Sequence, residues 1–167
     1  MKMRTVLTLF DRLITAMAWA SGAVFVALSV YITISALGRY FGLFFTRGND
    51  DLSSFALAFG STFGLAYALK IDAHVRVDIL FSALPPGLRN ALSTVSLALM
   101  ALFAGLLAVY GWTLCFESFG LGTRSVSIVQ TPIWVPQACV AFGFSILALQ
   151  AIRMMVELLL DQLRVRG

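Results

Sequence analysis

The side chains able to do chemistry are few in this chain and far apart. There is one histidine, His74, and there are two cysteines, Cys115 and Cys139. Haem held by paired imidazoles needs a second histidine, and a structural zinc site needs four thiolate or imidazole ligands. Neither set exists. His74 lies in the charged stretch Lys70-Ile71-Asp72-Ala73-His74-Val75-Arg76-Val77-Asp78, outside the apolar runs, whereas both cysteines lie inside them. The cysteines fall where they can face each other across a hairpin, and in apolar surroundings they read as buried, inert thiols. No nucleophile and base stand at a recognisable spacing. The expectation is a non-enzyme without metal or cofactor.

Charge supplies the remaining candidates. Arg39 heads the cluster Arg39-Tyr40-Phe41, with Phe44, Phe45 and Arg47 just beyond, and Asp50 and Asp51 follow. Aromatic rings and a snorkelling guanidinium suit a membrane interface, so an interfacial anchor is one reading of this cluster. The other is that Arg39 pairs with Asp50 or Asp51. The acidic pair also suits the positive end of a helix, or a partner protein.

The elements that must position these residues are four uncharged apolar stretches, 13–38, 52–69, 90–116 and 125–152. A hydrocarbon core of roughly 30 Å needs about 20 helical residues at roughly 1.5 Å each. A mean hydropathy of +0.92, with 60% hydrophobic and 12% charged residues, excludes an ordinary soluble domain. Backbone in lipid must satisfy its own hydrogen bonds, so these runs are expected to be helices. The fold class is thus all-α integral membrane: a single domain over 1–167 with spans of about 13–38, 52–69, 90–116 and 132–152. Ala18-Trp19-Ala20 resembles a signal-peptidase site. Asp11 and Arg12 interrupt the apolar region before it, however, and the run continues to Gly38, so a retained first helix is expected.

The net charge of +4 forms no continuous patch, which argues against nucleic acid. It does order the loops. Lys2, Arg4, Arg12, Lys70, Arg76, Arg89, Arg153, Arg164 and Arg166 fall on one side of a four-span protein; Arg39, Arg47 and Arg124 fall on the other. The positive-inside rule then places both termini and the middle loop in the cytoplasm.

Packing signals follow. Ala56, Gly60, Gly64 and Ala68 recur every four residues, and Gly60-Ser61-Thr62-Phe63-Gly64 is a GxxxG, so a close neighbour is expected on that face. Ala98, Ala101, Gly105 and Ala108 offer a similar face on the third segment. Between the second and third, Val77, Leu80, Phe81 and Leu84 share one helical face, which predicts a short amphipathic helix on the membrane surface. Pro85-Pro86-Gly87 ends it. Trp134 suits the interface where the fourth span starts. No ionisable residue falls in the middle of a span, which argues against a proton relay or a self-contained carrier of charged substrates.

Taken in order, these positions resemble a known family. They are Gly38-Arg39-Tyr40, Asp50-Asp51, Gly64-Leu65-Ala66-Tyr67-Ala68-Leu69-Lys70, His74-Val75-Arg76-Val77-Asp78-Ile79-Leu80, Leu84-Pro85 with Arg89, and Thr131-Pro132-Ile133-Trp134-Val135-Pro136-Gln137. Together they resemble the small, Q-type (DctQ-like) membrane subunit of tripartite ATP-independent periplasmic (TRAP) transporters. The family's acidic pair, often glutamate, is Asp-Asp here. The resemblance implies a bacterial inner-membrane scaffold that braces a large multi-helix M-type subunit. That subunit would carry substrate and coupling ions, usually sodium, and a periplasmic binding protein would deliver an organic acid. The alternative is an autonomous four-helix protein, either a small channel or exporter or the anchor of another complex. Ser29, Thr33, Ser61 and Thr62 supply only fragments of a polar pore face.

Overall fold

A computed structural model describes residues 2–42, 49–71, 85–126 and 130–166. Among these residues the elements are four helices: α1 (Lys2–Tyr40), α2 (Asn49–Lys70), α3 (Pro86–Leu121) and α4 (Trp134–Arg166). Each contains a stretch long and apolar enough to cross a membrane, within Thr8–Tyr40, Asp51–Lys70, Gly87–Leu121 and Trp134–Leu160. The protein is a multi-pass membrane protein. The predicted surface helix, with His74, Arg76 and Asp78, lies outside the described residues.

The helices run well past the apolar stretches that announce them. At 39 residues, α1 is roughly 58 Å long, nearly twice the hydrocarbon thickness. Its first turns carry Asp11 and Arg12, which end the apolar run without ending the helix. Charge marks the limit of hydrocarbon, while the backbone ladder continues until a capping signal stops it. For α3 those signals are local. Pro86 at its start needs no backbone N–H. At its end Gly122 turns left-handed at φ 62°, and Thr123 N–H donates to Ser118 O at 3.1 Å. In α4, Pro136 falls in the first turn, where the missing donor costs little.

The spatial order is α1–α2–α4–α3. The principal packings are α1 on α2, α2 on α4 and α4 on α3. Two apolar clusters knit this row together. Ile14 and Met17 of α1 meet Phe63 and Ala66 of α2 and Ile146 of α4. Leu69 of α2 meets Leu97 and Ala104 of α3 and Leu147, Ala148 and Ala151 of α4. Of the small-residue face on α3, Ala108 is buried and Ala101 packs against the second cluster, whereas Ala98 is exposed and Gly105 has open space beside it. The packing face follows that stripe in part and also takes in Leu97 and Ala104. An α3 that is apolar almost all round gives periodicity nothing to select.

Glycines set the closest approaches. The ring of Phe25 on α1 fills the space over Gly60, and Ser21 Oγ donates to Gly60 O at 2.7 Å. A side chain at Gly143 on α4 would come within 2.6 Å of Thr62 Cβ on α2. Gly111 on α3 lies against Ala141 of α4, and the adjacent Trp112 donates from Nε1 to Ser145 Oγ, one turn beyond Ala141, at 3.2 Å. Flanking helices α1 and α3 meanwhile expose Val26, Val30, Ile34, Leu102, Phe103 and Leu106. Apolar area on this scale needs lipid or another helix against it.

Candidate functional site: polar clamps at the two ends of α2

At one end, three helices meet through charge. Lys70, the last residue of α2, donates from Nζ to Asp11 O at 2.8 Å and to Thr15 Oγ1 at 2.9 Å, both on α1. Its ammonium is also 3.9 Å from Asp11 Oδ1. Arg153 of α4 grips the same carboxylate with both terminal nitrogens, Nη1 to Oδ1 at 2.6 Å and Nη2 to Oδ2 at 3.4 Å. Its Nε donates to Glu157 Oε1 at 2.9 Å, one turn along α4. Each residue borders an apolar run, so folding brings them to one depth. A carboxylate held between two cations, two-thirds or more removed from water, is a firmer tie than an exposed pair.

At the other end Asp51, in the first turn of α2, accepts from Ser125 Oγ at 3.1 Å and from Thr131 Oγ1 at 3.0 Å. Both hydroxyls belong to the link between α3 and α4, itself drawn into a narrow hairpin. Ser125 N–H donates to Thr131 O at 2.9 Å, and Arg124 pairs with Pro132 in an isolated bridge. The two clamps establish that α2 and α4 run parallel, with the start of α1 and the charged part of α4 at the same end.

The structure does not bring Arg39 to Asp51. Arg39 Nε turns back along its own helix to Ser35 O at 3.4 Å, and the Asp51 oxygens accept the hairpin hydroxyls. A backbone carbonyl and two hydroxyls, which carry no charge, satisfy the groups that charge alone would pair. The Asp50 side chain lies outside the described residues. Ala56 is buried, and Gly60 is covered by Phe25, as a close-packing face requires. Gly64 is not: nothing lies within 4 Å of where its Cβ would be. Ala68 is half-buried. Trp134 packs edge-on against Phe119, centroids 5.5 Å apart at 90°, and its carbonyl accepts from Cys115 Sγ at 3.5 Å. Cys115 and Cys139 are both free thiols. Asp11 and Arg153 are site residues that no local motif marks, each standing at the edge of an apolar run. The available signal was opposite charge at matching depth on separate spans.

Fold and clamps together define a multi-pass membrane protein in which Asp11, Asp51, Lys70 and Arg153 border the apolar spans and join the helices there. Residues 28–161 match the family model described as Tripartite ATP-independent periplasmic transporters, DctQ component. The chain belongs to this family. It is similar to the C4-dicarboxylate TRAP transporter small permease protein DctQ of Rhodobacter capsulatus, with 23% identity over 127 residues. The match covers 76% of this chain and 52% of that protein, so the chain spans about half the length of its relative.

Proposed function

We propose that this chain is the non-catalytic small membrane subunit of a TRAP-type uptake transporter in a bacterial inner membrane. It braces a large M-type subunit while that subunit imports an organic acid, with sodium as coupling ion, delivered by a periplasmic binding protein. The relative is named for C4-dicarboxylates, which fits the organic-acid class. The supporting observation is that α2 is tied at both ends, to α1 and α4 by Asp11, Lys70 and Arg153 and to the α3–α4 hairpin by Asp51. A row of helices fixed at two depths resists shear, which suits a part that stays still while another moves. The outward faces of α1 and α3 offer the area for the large subunit.

Co-expression with a large M-type TRAP subunit from the same organism tests this reading. The two proteins are expected to purify together, and uptake into cells is expected to require both. Uptake that persists at full rate after deletion of this chain would refute the proposal.

Topology is checked separately. In a Cys115→Ser, Cys139→Ser background, Gly87→Cys is expected to react with an impermeant maleimide only after the inner membrane is opened, and Val126→Cys before. Both positions are exposed, at opposite ends of α3. Reaction of both from one side contradicts the four-span arrangement.

A further inference from the structure

An open groove of about 870 Å³ runs between α1 and α2, lined by Trp19, Gly22, Val26, Gly64 and Tyr67. Its lining is almost wholly apolar, and the Cβ positions of both glycines face empty space. A smaller, more polar recess of about 390 Å³ adjoins it, bounded by Arg12, Thr15 and Lys70 and sharing Trp19. The recess is cationic in effect. Arg12 makes no hydrogen bond or ion pair among the described residues, and Lys70 has two of its three N–H donors engaged. The one carboxylate at the recess, Asp11, is already gripped by Arg153. From Arg12 to Ala27 the groove follows α1 for roughly 22 Å, which is half of a bilayer about 40–45 Å thick with its headgroups.

From this continuity of a cationic recess with an apolar groove one leaflet deep, we infer that the α1–α2 groove binds one anionic phospholipid. The phosphate sits against Arg12 and the uncommitted Lys70 donor, and the acyl chains lie along Trp19, Gly22 and Gly64. This site belongs to the leaflet that holds the N-terminal end of α1, whichever side of the membrane that is. The open glycines thereby gain a use: they widen the seam between two helices that touch more closely at Gly60.

Native mass spectrometry of the full chain, released from detergent with equal phosphatidylglycerol and phosphatidylcholine of matched acyl chains, tests the inference. Retention of one phosphatidylglycerol is expected, favoured about fivefold, the weight of roughly 1 kcal/mol for a charge pair at an interface. Arg12→Gln is expected to erase the preference. Gly22→Leu with Gly64→Leu is expected to abolish retention of both lipids while the helical circular dichroism is unchanged. Gly105→Leu, which also enters open space but on α3, serves as control and is expected to change neither. Equal retention of the two lipids by the unaltered chain, retention unchanged in Arg12→Gln or in the double glycine variant, or equal loss in the control overturns the inference. So does loss of the lipid on binding the large subunit, combined with separation of the two proteins by Gly22→Leu, because the groove would then seat a partner helix.

Discussion

Gly143→Ala is expected to destabilise this protein more than the same methyl added at Gly60 or Gly64. The new Cβ would stand 2.6 Å from Thr62 Cβ and 2.7 Å from Thr62 Oγ1. A β-carbon is fixed to its backbone, so relief requires α2 and α4 to separate. The Thr62 hydroxyl is held too, donating to Ala58 O at 2.7 Å, so turning it away breaks that bond. Overpacking of this kind costs about 1–3 kcal/mol, and the α2–α4 contact sits in the middle of the row. Gly60→Ala meets only the far end of the Phe25 ring, which can swing outward, so its cost should be the smaller. Gly64→Ala meets nothing and should be neutral, or gain slightly from the better helix propensity of alanine. Reversible unfolding in mixed micelles, followed by circular dichroism, should rank the three in that order. Equal stability of Gly143→Ala and Gly64→Ala would show that the α2–α4 approach is looser than described.

This ranking marks how far the sequence could be read. Four spans, their order and the fold class follow from uncharged runs at lengths that only a bilayer explains, and the structure has them. Within the GxxxG of α2, however, Gly60 and Gly64 look alike in sequence. They differ because Phe25 reaches one and not the other, and no property of α2 reports where α1 places a ring. Gly143 has no repeat to advertise it; its neighbours are Thr62 and Phe63 on another helix. Among the charges, Lys70 closes a stretch that resembles a family motif, and its contacts are with Asp11 and Thr15, which lie 59 and 55 residues away in sequence and so leave no local signal. Asp51 accepts from Ser125 and Thr131, and Arg39 donates to Ser35 O. A carboxylate at the start of a helix can be satisfied by hydroxyls of a facing loop as well as by a cation, and nothing in the spacing of Ser125 and Thr131 marks them as its partners.

The clamp at Asp11 should behave as one strong tie and one independent one. In a double-mutant cycle, Asp11→Asn and Arg153→Gln are expected to couple by about 1–2 kcal/mol. That is above the roughly 0–1 kcal/mol of exposed pairs, because the contact is two-pronged and its side chains are 33% and 22% exposed. It is below the roughly 3–5 kcal/mol of breaking a fully buried pair, because water still reaches both groups. Asp11→Asn and Lys70→Gln should instead be nearly additive. The short bonds of Lys70 go to the Asp11 carbonyl and the Thr15 hydroxyl, which asparagine at position 11 leaves in place, and its distance to the carboxylate is 3.9 Å. Thr15→Val should therefore couple to Lys70→Gln more strongly than Asp11→Asn does. If the Asp11–Arg153 coupling is zero, α4 is not held to α1 by this contact, and the bracing role loses one of its two anchor depths. If the coupling is present but the same variants still co-purify with the large subunit and support uptake, the clamp stabilises the fold without serving transport, and the bracing must rest on apolar packing alone.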